Sequence, residues 1–266
     1  MRQILLKFLV ILGLPALAVA DPYDDLAKVE ILPGWRMQSG IHMAGIRITL
    51  APGWKTYWRA PGDAGIPPQF SFAGSGNIVG VTPHWPVPHV FYENGLQSIG
   101  YYDSVVFPLA IQSRDPDEDI EIDGVLTIGV CEEICIPVSA TFDALLPSAG
   151  ERDSAITAAL INQPLSAAEA GVGEVICQIA PIQDGLKVTT TMEVGSTGGS
   201  EVVVVESGNP AIWVSEADVT RVGDALQATV DMVNTTGEAF ALDRSALRFT
   251  VLGSEQAIDI QGCRAG

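Results

Sequence analysis

The stretch GVLTIGVCEEICIPVSATF, residues 124–142, decides how the fold is read. VLTIGV and IPVSATF are rich in β-branched and apolar residues and read as two strands. Between them Cys131 and Cys135 bracket Glu132, Glu133 and Ile134, so the cysteines flank the tip of a hairpin. A short cross-strand bridge can form there, within narrow limits on Cα separation and torsion. The pair has three possible roles: a metal clip, a structural staple, or a dithiol that exchanges electrons.

The same β texture extends in both directions. Segments 41–51 (IHMAGIRITLA) and 104–113 (SVVFPLAIQS) are strand-like, and Ile46, Ile48 and Leu50 alternate with Arg47 and Thr49 as in a half-buried strand. Beyond residue 173, runs such as GLKVTTTMEV, EVVVVES and ALRFTVLG are separated by turn clusters such as GSTGGS and NTTGE. Between the two halves, ERDSAITAALINQPLSAAEAG (151–171) is alanine-rich, reads as helix and is interrupted by Pro164. The expectation is an all-β chain, with two immunoglobulin-like β-sandwich domains joined by a short helical connector. The expected divisions are residues 21–148, 149–172 and 173–266.

Residues 1–20 have a basic start (Arg2, Lys7), an apolar run and the small-x-small ending Ala18-Val19-Ala20. That is the pattern of a cleaved secretory signal peptide, so the mature chain is expected to be soluble and exported. Nothing downstream is long and apolar enough to span a bilayer, and no stable membrane insertion is expected. Without Arg2 and Lys7, 12 basic residues face 32 acidic ones, a net charge of −20. Such a surface repels nucleic acid and anionic lipid.

Export changes how the four cysteines are read, because thiols pair in an oxidising compartment. Of three possible pairings, the economical one joins Cys131 to Cys135 and Cys177 to Cys263. The second bridge closes a long loop around the second sandwich and suits a structural role. Glu132 and Glu133 place negative charge beside the first pair and disfavour a thiolate. Such a pair acts best as a relay, opened by a partner's thiolate through a mixed disulfide. The competing readings are a structural hairpin bridge, a copper-homeostasis protein whose cysteines hold Cu(I), and a hydrolase nucleophile. None of His42, His84 and His89 stands in ligand spacing with the cysteines, and no Cys-His arrangement is evident. No metal site and no cofactor are therefore expected.

Segments 52–70 (PGWKTYWRAPGDAGIPPQF), 89–111 (HVFYENGLQSIGYYDSVVFPLAI) and 129–140 (GVCEEICIPVSA) together resemble the N-terminal periplasmic domain of DsbD-type thiol:disulfide interchange proteins. The likeness is strongest to the branch that includes the copper-tolerance protein ScsB. It covers roughly residues 30–148, and the second sandwich looks like the extra domain of longer relatives. The resemblance implies an immunoglobulin-like domain whose redox-active pair is Cys131 and Cys135. It also implies a cap loop carrying a Phe-Tyr dipeptide, matched by Phe91 and Tyr92, and site-lining aromatics at Tyr57 and Trp58. Ordinary core or turn packing is the alternative for each aromatic. The implied partners are a membrane-embedded or thioredoxin-like electron donor and a periplasmic thiol or disulfide protein as acceptor. Two features depart from the better-known members, which have five residues between the cysteines and acidic residues before the Phe-Tyr. Here there are three residues, and His89 and Val90 precede the dipeptide.

Overall fold

Alternation of apolar and polar residues builds the first half of the chain. In the strand Ile120–Cys131, Ile120, Ile122, Leu126, Ile128 and Val130 are buried, while Glu121, Asp123 and Val125 face solvent. The computed structural model describes residues 26–62, 65–93 and 95–266, so the leader expected at 1–20 lies outside the described residues. The strands of this half are β1 (Ala27–Arg36), β2 (Ile41–Leu50), β3 (Lys55–Gly62), β4 (Gln69–Ser71) and β5 (Ile78–Pro83). They continue with β6 (His89–Glu93), β7 (Leu96–Tyr102), β8 (Ser104–Ser113), β9 (Ile120–Cys131) and β10 (Cys135–Leu146). One sheet has the order β1-β2-β8-β5. The other runs β10-β9-β3-β7-β6, with β4 also paired to β9. Between the sheets lies a core that includes Ile46, Ile48, Trp58, Phe107, Leu109, Ile111, Leu126 and Val130.

The region read as a helical connector contains α1 (Ser154–Ile161). The Asp153 carboxylate caps it, accepting from the backbone N–H groups of Ala155 (2.7 Å) and Ile156 (3.1 Å). The helix is shorter than the alanine-rich stretch, because Pro164 has no N–H to continue the ladder. Nor does it hang free between the sandwiches. Ile156 is fully buried against Leu32 and Met43, which docks the helix on the first sheet. Immediately afterwards β11 (Leu165–Ser166) pairs in parallel with a strand of the second sandwich.

That second sandwich comprises β12 (Val175–Ile182), β13 (Gly185–Glu193), β14 (Val202–Glu206), β15 (Ile212–Val214) and β16 (Asp218–Val222). It is completed by β17 (Ala225–Asn234), β18 (Arg248–Leu252), β19 (Ala257–Gln261) and β20 (Arg264–Ala265). Its sheets run β11-β19-β18-β14 and β15-β17-β13-β12-β20, with β16 on β17. Cys177, Val188, Met192, Leu226, Val230, Phe249 and Val251 lie in its core. The chain is thus all-β with a single short helix among the described residues, in immunoglobulin-like sandwich architecture.

The two sandwiches meet through an apolar seam. Val202 and Val204 of β14, with Leu252 and Ala257, pack against the core of the first sandwich. Beside the seam, the Arg59 guanidinium stacks 3.9 Å from the Trp58 ring centroid and donates to both Glu206 carboxylate oxygens (3.1 and 2.9 Å). It also donates to Thr250 Oγ1 at 3.1 Å. The backbone N–H of Gln97 in β7 donates to Glu216 Oε1 at 3.2 Å.

Candidate functional site

The hairpin of β9 and β10 sets Cys131 directly opposite Cys135, with a Cα separation of 4.2 Å, and a disulfide joins them. Glu132, Glu133 and Ile134 form the exposed tip. The two cysteines have different surroundings: Cys131 is 1 % exposed, whereas Cys135 faces solvent.

Directly paired residues of neighbouring strands share a face of the sheet, and so do residues two apart on one strand. Cys131 pairs with Lys55, and Lys55 with Tyr102, which forms one row across β9, β3 and β7. The adjacent row holds Gly129, Tyr57, Gly100 and His89, and the row beyond it pairs Ser98 with Phe91. All of these lie on the outer face of the sheet, opposite Trp58, Ile128, Val130 and Tyr101 in the core. The site is therefore built on the outside of the first sandwich and covered locally.

The central polar group of the site is the Tyr57 hydroxyl, 2.9 Å from Cys131 Sγ and 3.1 Å from Cys135 Sγ. Backbone holds its ring in place. A Cβ added at Gly65 would meet Tyr57 Cδ1 at 2.7 Å, and one added at Gly129 would meet Cδ2 at 3.1 Å. Both flanks of the ring thus require glycine. Burial, and then the Glu93 carboxylate, push the Tyr57 hydroxyl above its ordinary pKa, which keeps it protonated and able to donate.

The β6–β7 hairpin approaches from the far side of β3. Phe91 is buried and packs edge-on against Tyr102 with centroids 4.4 Å apart. Glu93 forms an ion pair with the Lys55 ammonium, which also lies 5.2 Å from the Phe91 ring centroid. Lys55 was not foreseen from the sequence, although its position two residues before Tyr57 carried the signal.

In both aromatic pairs singled out from the sequence, strand alternation sends the two rings to opposite faces. Tyr57 reaches the sulfurs, whereas Trp58 points into the core between the sheets. Phe91 packs on the site face, whereas Tyr92 is 68 % exposed and its hydroxyl donates to Gln97 Oε1 at 3.0 Å. In the second sandwich a disulfide joins Cys177, fully buried on β12, to Cys263. Among the described residues, no group of three or more His, Cys, Asp or Glu side chains converges as a metal site, and no helix is long and apolar enough to cross a membrane.

Comparison with known proteins agrees with this geometry. Residues 28–147 match the family described as thiol:disulfide interchange protein DsbD, N-terminal. No curated protein matches the chain. Among solved structures, the N-terminal periplasmic domain of ScsB from Proteus mirabilis superposes with a TM-score of 0.70 at 23% sequence identity. That match covers 93% of this chain and 97% of the other, so the likeness of fold spans both sandwiches. Residues 28–147, which carry the Cys131–Cys135 hairpin, form a thiol:disulfide interchange domain of the DsbD N-terminal family.

Proposed function

We propose that the chain relays reducing equivalents in the periplasm by thiol–disulfide exchange at Cys131 and Cys135. It would receive them from a membrane-embedded or thioredoxin-like donor and pass them to periplasmic thiol proteins. One observation carries this reading: the disulfide joins a buried cysteine to an exposed one, and a buried tyrosine hydroxyl touches both sulfurs. A donor thiolate attacks Sγ of Cys135, the exposed cysteine of the pair, the Cys131–Cys135 bond breaks, and a mixed disulfide forms at Cys135. The electron pair of the broken bond leaves on Cys131 Sγ, where the Tyr57 hydroxyl can stabilise the new thiolate as a donor. The donor's second thiol then attacks its own sulfur in the mixed disulfide. Cys135 is released, and the donor leaves oxidised. The same steps run in reverse against an acceptor disulfide.

The test is a series of glutathione buffers of graded potential, with alkylation and mass spectrometry of each cysteine. Cys131–Cys135 is expected to open at a less reducing potential than Cys177–Cys263, whose Cys177 is fully buried. Coincident reduction of the two bridges would overturn the proposal. Tyr57→Phe keeps the ring between Gly65 and Gly129 but loses the hydroxyl. Stopped-flow reduction of this variant by dithiothreitol should be about tenfold slower, the equivalent of one hydrogen bond to a charged group at ~1.5 kcal/mol. An unchanged rate would remove Tyr57 from the exchange step.

A further inference from the structure

Lys55 has no part in the exchange step described above, yet its placement is unusual. The residue is 4 % exposed, and lysines are almost never buried so fully without a partner. Its partner, Glu93, stands on β6, two strands away in the same sheet. On β9 its direct cross-strand neighbour is Cys131. That register brings the two Cβ atoms to roughly 4.5–5.5 Å on one face of the sheet. While the disulfide is intact, the Cys131 sulfur is neutral and Glu93 alone balances the ammonium. Once the bridge opens, a negative charge appears on a sulfur that solvent barely reaches. Away from water, a neighbouring cation acts on that charge far more strongly than it would at the surface.

We propose that Lys55 is the counter-charge of the Cys131 thiolate, and that Glu93 competes with the thiolate for the same ammonium. The inference rests on the exchange reading of Cys131 and Cys135 and assigns the electrostatics of that site. It qualifies the expectation from Glu132 and Glu133 alone, that negative charge beside the pair disfavours a thiolate. Those two carboxylates sit in solvent at the tip, where water and salt weaken them. In the rows next to Cys131 the other ionisable groups are Tyr57 on β3, Tyr102 on β7, and His89 and Glu93 on β6, while Glu121 and Asp123 lie in solvent farther down β9. Burial, and then Glu93, raise both tyrosines above their ordinary pKa, so they remain neutral donors. Lys55 is the basic residue paired directly with Cys131.

The measurement uses the full chain carrying Cys135→Ser and His89→Gln. Cys131 is then its only free thiol, because Cys177 and Cys263 stay bridged. The ultraviolet absorbance of the thiolate, followed against pH, gives the ionisation midpoint of Cys131. In that background Lys55→Met should move the midpoint up by at least about one pH unit. Glu93→Gln should move it down, and Lys55→Arg should restore it towards the parent value. Opposite shifts from the two neutralising variants are the signature of competition for one charge. No shift in either, or shifts of the same sign, would overturn the proposal. If Lys55→Met does not fold, Glu93→Gln decides alone, since Glu93 is largely solvated and glutamine keeps a carbonyl acceptor for the Lys55 ammonium. The titration needs no redox partner. A bridge that resists the graded buffers defeats the exchange reading, whereas an unmoved midpoint defeats only the role of Lys55.

Discussion

A chain carrying Cys177→Ala and Cys263→Ala should lose about 4.5 kcal/mol of stability in its second sandwich, by the loop-entropy relation. The bridge spans 86 residues and ties β12 to the segment just before β20, the two ends of that sandwich. Without it the unfolded chain gains the freedom of one very long loop. Such a loss approaches the whole stability of a small domain, which is about 5–15 kcal/mol. Alanine is the clean replacement, because serine at 177 would bury a second hydroxyl beside Thr190, whose Oγ1 lies 3.3 Å from Cys177 Sγ. The corresponding double change at Cys131 and Cys135 releases a separation of only four residues and should cost about 2 kcal/mol at most. Urea unfolding followed by circular dichroism reads both. Equal losses from the two double variants would mean that the bridges are equally structural.

Trp58→Ala should destabilise the first sandwich by about 3–5 kcal/mol while leaving the rate of disulfide exchange unchanged under conditions where the variant is folded. The indole is fully buried in the core and supports the Arg59 guanidinium at the seam with the second sandwich. Its removal leaves a cavity and a loosened arginine, neither of which lies on the face that carries the sulfurs. Denaturant unfolding and stopped-flow reduction, run on the same preparation, separate the two effects. Slow exchange in a folded Trp58→Ala chain would place Trp58 in the redox site after all. Tyr57→Phe should show the reverse pattern, so two adjacent residues become opposite controls.

That contrast also shows how far the sequence could be read. Period-two patterning in segments such as GIRITL and VLTIGV was enough for the all-β architecture, because burial on one face leaves its mark on every second residue. The cysteine hairpin was legible for the same reason. The likeness of motifs named whole dipeptides, Tyr57-Trp58 and Phe91-Tyr92, where the pleat allows only one residue of each to reach a given face. Lys55 escaped notice because a lone lysine at the start of a strand normally lies in solvent. Its burial depends on Phe91 and Glu93, which arrive from a hairpin 38 residues away in sequence. The grip of Arg59 on Glu206 spans 147 residues and leaves no local trace. The alanine-rich connector misled only in extent: composition reported helix propensity, whereas Pro164 and the docking of Ile156 fixed where the helix stops and what it touches.

One consequence concerns the hairpin that carries the cysteines. Register pairs run from Cys131 opposite Cys135 down to Ile120 opposite Leu146, so the placement of the two sulfurs is set by the stem rather than by the three residues at its end. The end can therefore be rewritten as a module. Longer, shorter or differently charged segments could replace Glu132-Glu133-Ile134 while the stem holds the chemistry in place. The sequence of the tip and the position of the bond are thus separate, independently editable parts of one ribbon.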